Sequence, residues 1–135
     1  EQNNERFQAK YKEIEANEVR YEEIQTADAD YILVAFGSSA RICQKAVELA
    51  RAEGLRVGLL RPITLWPFPT HAIQSLTSRV KGFLVAELNA GQMIEDVRLA
   101  VDGKVPVVHY GRMGGMLFSP NEIVENLKKL LIKNS

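Results

Sequence analysis

Four apolar runs, each closing on a polar turn and each separated from the next by a helical pattern, constrain this chain most. Ile32–Phe36 leads into Gly37-Ser38-Ser39, and Arg56–Leu60 into Arg61-Pro62. Gly82–Ala86 leads into Glu87-Leu88-Asn89-Ala90-Gly91-Gln92, and Val105–His109 into Tyr110-Gly111-Arg112-Met113-Gly114-Gly115. Strands joined through helices run parallel, so all four turns fall on one edge of one sheet. In open α/β folds that edge is where ligands and partners bind.

The helical patterns between the runs are specific. The first follows Ser39, with Ile42, Cys43, Ala46, Val47 and Ala50 on its buried face and Gly54 suited to the left-handed position beyond its end. The second begins near Thr70 and carries Ile73, Leu76 and Val80; the third starts at about Gln92 with Met93, Ile94, Val97, Ala100 and Val101 on one face. The fourth opens on Ser119-Pro120-Asn121-Glu122, a capping box with proline at the first helical position. This alternation predicts a three-layer α/β/α sandwich, although the pattern alone leaves the strand order open. Val19–Gln25 adds an edge strand before the turn at Asp28-Ala29-Asp30. Residues 1–20 read as a lead-in helix or connector, because Phe7, Tyr11 and Ile14 are spaced by four and three. Residues 21–135 then form the domain.

At 135 residues the chain has room for one compact domain. Seventeen basic residues cancel seventeen acidic ones. That balance argues against nucleic acid as the main partner, which needs a basic surface, and gives no pull toward an acidic membrane. Ile32–Phe36, the longest apolar run, is far short of a membrane span. The single Cys43 allows no internal disulfide. The polar start Glu1-Gln2-Asn3-Asn4 has no signal peptide and no initiator methionine. The expectation is a cytoplasmic domain taken from a longer chain, with neither nucleic acid nor membrane as partner.

Each turn allows two readings. Gly37-Ser38-Ser39 joins strand to helix, so its free amides and the helix dipole can hold a phosphate or carboxylate; alternatively Gly37 makes the turn and a serine caps the helix. Arg61 precedes Ile63-Thr64-Leu65-Trp66-Pro67-Phe68-Pro69, a stiff loop in which Trp66 and Phe68 either dock a partner or cover the domain's own core. Glu87 is a general base if buried, or a structural ion pair with Arg61 or Arg112. Gly91-Gln92 opens a helix and offers a second cluster of amides for an anion. The loop Tyr110–Met116 is glycine-rich and allows close approach, with Arg112 able to grip an oxyanion by paired donors. No catalytic residue is assigned. His71 and His109 lack a neighbouring acid or cysteine at metal-ligand spacing, His109 reads as a packed strand residue, and Cys43 as inert.

Three segments in order, Leu60–Pro69, Glu87–Met93 and Tyr110–Gly115, resemble the alpha subunit of 2-oxoacid:ferredoxin oxidoreductases, in the branches acting on 2-oxoglutarate and 2-ketoisovalerate. The resemblance runs from about Tyr11 onward and corresponds to the carboxyl-terminal, transketolase-C-like domain. It implies a mixed sheet of five strands in the order 1-3-2-4-5 with the first antiparallel, and a topological switch between Gly37-Ser39 and Glu87-Asn89. It implies an enzyme that decarboxylates a 2-oxoacid on thiamine diphosphate with magnesium, passes electrons through iron–sulfur clusters to ferredoxin, and delivers the acyl group to coenzyme A. The implied partners are an amino-terminal thiamine domain of the same subunit, a thiamine-binding beta subunit and ferredoxin-type subunits. This stretch has no pyrophosphate–magnesium motif and no cysteine cluster, so it is expected to be inactive alone and to bind none of those cofactors itself. Its assembly contacts would come from Trp66, Phe68, Glu87, Asn89, Gln92, Tyr110, Arg112 and Met113. The alternative is an anion- or coenzyme A-binding module using Gly37, Ser38, Ser39, Arg61 and Arg112. The equivalent domain of a transketolase or of a 2-oxoacid dehydrogenase E1 beta chain shares the fold.

Overall fold

The structure, a computed structural model, describes residues 11–16, 19–63, 68–87, 92–111 and 119–132. Its strands are β1 (Tyr11–Ala16), β2 (Val19–Ile24), β3 (Tyr31–Ala35), β4 (Val57–Pro62), β5 (Gly82–Glu87) and β6 (Val107–Gly111). Its α-helices are α1 (Ser38–Ala52), α2 (Thr70–Thr77), α3 (Gln92–Val101) and α4 (Pro120–Leu127), the last running into a π-helical turn at Lys128–Ile132. The strands form one sheet in the order β1-β2-β4-β3-β5-β6. β3, β4, β5 and β6 are mutually parallel where they pair, and β2 alone runs the other way, antiparallel to both β1 and β4.

Successive side chains of a strand point to opposite faces, and both faces of this sheet are covered. On one, Leu33, Leu59 and Leu84 meet Cys43 and Val47 of α1 and Ile123 of α4. On the other, Ile32, Val34, Leu60 and Val85 meet Ile73 of α2 and Val97 of α3. A fully apolar strand such as Tyr31–Ala35, buried at all five positions, has this double cover as its cause. Deleting one such side chain, for example Leu33→Ala, would cost about 2–5 kcal/mol.

The expected order is present: β2-β4-β3-β5-β6 is 1-3-2-4-5, with the first strand antiparallel. Two expectations fail. Tyr11–Ala16 is a strand rather than part of a lead-in helix, and it makes the sheet six-stranded; Phe7 lies outside the described residues. The cause is β2, which is anchored on β4 from Tyr21 to Ile24 and offers its free edge to the residues just before it. A complete antiparallel ladder from Tyr11–Ile24 to Ala16–Val19 outweighs a thin helical stripe. The last strand also starts two residues later than read, at Val107. Pro106 has no N–H to give, and its carbonyl instead accepts from Phe83.

The connection from β3 leaves over the α1 face toward β4. The connection from β5 leaves over the α3 face toward β6. The two diverge between adjacent strands, so the topological switch lies between the carboxyl ends of β3 and β5. Among the described residues, no helix is long and apolar enough to cross a membrane.

Candidate functional site at the carboxyl edge

The turn after β3 starts at Phe36, which is 40% exposed, and Gly37. Gly37 has φ +65, and a side chain placed there would meet nothing within 4 Å. It caps α1 without any side-chain hydrogen bond, and the first turn of α1 carries no acid. Ser39 is buried and Ser38 exposed, so neither supplies the cap that the sequence offered as one reading.

At the end of β4, Arg61 has an occupation the sequence did not reveal. Its Nη1 donates to Glu22 Oε1 at 2.8 Å, across the β2–β4 ladder where Glu22 and Arg61 are register partners. Glu22 is only 5% exposed. A carboxylate that far from water needs a cation, and a guanidinium forming a charge-assisted bond provides one. Arg61 therefore answers Glu22 rather than Glu87. Its partner was missed because 39 residues separate the two, and only the register brings them together. Beyond the loop, Phe68 is half-buried against the core on the α2 face, the core-covering reading for that residue. Trp66 lies outside the described residues.

Glu87 closes β5 and turns onto the first turn of α3. Its Oε1 accepts from the Met93 N–H and its Oε2 from the Ile94 N–H, both at 3.0 Å. The amide cluster expected to receive an external anion is thus filled by the chain's own carboxylate, where the helix dipole favours negative charge. The expected ion pair of Glu87 with Arg61 does not form, and Arg112 lies outside the described residues. Both oxygens are engaged by helix amides, so Glu87 acts as a cap on α3, a structural role in place of the general-base one.

A histidine does accompany Glu87 in space. His109 Nε2 stands 3.3 Å from Glu87 Oε2, with the imidazole 31% exposed. The parallel β5–β6 register pairs Val85 with His109 and Glu87 with Gly111. The missing side chain at Gly111 lets the ring in: a Cβ there would lie 2.8 Å from His109 Cε1 and 2.9 Å from Glu87 O. On the opposite face, Tyr110 packs toward the α1 and α4 core, and its hydroxyl donates to Glu122 Oε2 at 3.4 Å. Glu122 also closes the expected capping box, with Oε1 accepting from Ser119 N at 2.7 Å. Gln92 opens α3, while Asn89 and Met113 lie outside the described residues. Cys43 is fully enclosed, and burial pushes its thiol up to about 12, which leaves no thiolate for chemistry. Burial, with Glu23 beside it, also raises Tyr21.

Among the described residues, the edge thus carries one exposed aromatic, two helix starts without a side-chain cap and carboxylates that already have partners. The family model of pyruvate:ferredoxin oxidoreductase core domain II matches residues 29–123. The chain belongs to this family. As a member of core domain II it has relatives among 2-oxoacid:ferredoxin oxidoreductase subunits. Ketoisovalerate oxidoreductase subunit VorB of Methanothermobacter thermautotrophicus is 47% identical over 124 residues, covering 92% of this chain and 35% of that protein. The 2-oxoglutarate synthase subunit KorA of Methanothermobacter marburgensis is 34% identical over 102 residues, covering 76% of this chain and 27% of the relative. The chain thus spans about a third of the length of the curated relatives it matches.

Among solved structures, a 2-oxoglutarate:ferredoxin oxidoreductase from Magnetococcus marinus, with 2-oxoglutarate, coenzyme A and succinyl-CoA bound, superposes with a TM-score of 0.66 at 30% identity. The match covers 75% of this chain and 18% of that one. A split-gene transketolase, an inactive beta4 tetramer, superposes at 0.67 with 18% identity over 76% of this chain and 38% of the other. That second likeness shows the fold alone, so the transketolase reading keeps only its architecture.

Proposed function

We propose that this domain is the assembly part of a thiamine-diphosphate-dependent 2-oxoacid:ferredoxin oxidoreductase, docking its carboxyl edge on the thiamine-binding portion of the enzyme. The complete enzyme would cleave carbon dioxide from a 2-oxoacid, send two electrons to ferredoxin and pass the acyl group to coenzyme A. The observation that carries this role is the way the edge uses its charges. Glu22 is matched by Arg61 and Glu87 by the amides of α3, while Phe36 at the topological switch is exposed. An edge with neutralised charges and an exposed aromatic suits burial against protein.

Thiamine diphosphate would need oxygen ligands for its magnesium. The described carboxylates at the edge, Glu22, Glu87 and Glu122, are committed to Arg61, to the amides of α3 and to the α4 cap with Tyr110, so these residues do not fit that group, and no step is derived through it. Nor do they fit iron–sulfur clusters, which are held by several cysteine thiolates; the chain has one cysteine, and it is buried. The cofactors therefore belong to other parts of the enzyme in this reading, and the chain's contribution is orientation.

The test is reconstitution with the remaining domain and subunits. The chain alone should release no carbon dioxide from 2-oxoglutarate or 2-ketoisovalerate, and adding it to the remainder should restore turnover. Decarboxylation by the pure chain would sink the assembly role.

A further inference from the structure

We propose that His109 latches Glu87: it is a positioning residue whose imidazole N–H holds the Glu87 carboxylate on the first turn of α3, fixing the β5–α3 side of the edge. Three observations converge on it. Nε2 is buried and has no hydrogen-bond partner, yet it stands 3.3 Å from Glu87 Oε2, within reach but out of line. Oε2 accepts one bond, from Ile94, and a carboxylate oxygen has room for a second. Gly111 leaves the slot through which the ring approaches, and even a methyl group there would collide with the ring, at 2.8 Å from His109 Cε1 and 3.2 Å from Nε2, and with the backbone carbonyl of Glu87 at 2.9 Å.

A buried ring nitrogen without a partner is unfavourable, and a small rotation of the imidazole satisfies it on Glu87. The latch would then tie three elements together at one carboxylate: β5 through Glu87, β6 through His109, and α3 through Met93 and Ile94. Glu87 ends β5 and Met93 lies in the first turn of α3, so the latch fixes these two elements against each other at the edge that faces the proposed partner. Its consequence for docking rests on the assembly role above. Its existence does not.

Amide hydrogen exchange at Met93 and Ile94 reads the latch directly, in the unaltered chain and in His109→Gln and His109→Phe. Glutamine can place an N–H near the position of Nε2; phenylalanine fills the space without a donor. The expected result is exchange at those two amides roughly tenfold faster in His109→Phe and close to the unaltered rate in His109→Gln, with Val124 in α4 unchanged. Gly111→Ala, which displaces the ring without removing it, should behave like His109→Phe. Equal rates in all chains, or equal acceleration by Gln and Phe, would overturn the latch. If His109→Phe loosens the two amides yet reassociates with the rest of the enzyme normally, the latch stands and the docking role of this turn falls.

Discussion

The two ends of the parallel strands are built differently. At the amino end, the turn after β2 is tied down by long cationic side chains. Arg51 Nη2 donates to Gln25 O at 2.9 Å and to Asp28 Oδ1 at 2.8 Å, while its Nε donates to Val57 O at 2.9 Å. Arg79 Nη1 donates to Thr26 O at 2.7 Å. At the carboxyl end, charges pair with one another, two helices start without a side-chain cap and, among the described residues, one aromatic is exposed. The amino end is finished within the chain and serves stability. The carboxyl end keeps unmet surface, which is what a docking edge requires.

That contrast can be broken by substitution. Arg51→Ala should have the largest effect, about 3 kcal/mol in urea unfolding, because several charge-assisted bonds to one turn are lost together. It should leave reassociation with the rest of the enzyme unchanged once the domain is folded. Arg61→Ala removes a charge-assisted bond from the buried Glu22 and should cost about 2 kcal/mol by the same measurement. It falls at the low end for a buried pair because Arg61 is 40% exposed.

Between the two edges lies Cys43, and it gives a pH test of the core. The folded chain holds the thiol proton up to about 12, while the unfolded chain releases it near the ordinary value of 9.0. Above that value the unfolded state binds fewer protons, so stability falls as pH rises, by up to about 1.4 kcal/mol per pH unit until the folded thiol ionises. Cys43→Ala should lose that slope when unfolding is compared at pH 9 and pH 10. Glu87→Gln should cost about 1 kcal/mol, the value of a carboxylate at a helix start, with the loss seen as a lower melting midpoint.

How far these features could be read in the sequence depends on the range of the interaction behind them. The strand and helix alternation, the capping box at Ser119–Glu122 and the buried faces of α1 and α3 all follow from neighbours within one turn or one strand. β1 was misread because its partner, β2, was itself read as a weak edge and the ladder between them has no local signature. The Glu22–Arg61 pair and the Glu87–His109 approach depend on strand register, 39 and 22 positions apart in the chain, so residue type alone did not select them. Glu87 did stand out as a charged residue closing an apolar strand. Its true partners, the amides of α3, are backbone groups that every helix start offers.

The measurement that tests the central claim is reassociation of Phe36→Asp with the rest of the enzyme, beside Arg51→Ala. Phe36 is exposed, so the substitution should change unfolding stability by less than about 0.5 kcal/mol, yet it should weaken association at least tenfold, while Arg51→Ala does the reverse. Undiminished association by Phe36→Asp would contradict the account, because the carboxyl edge would then not be the face that meets the enzyme.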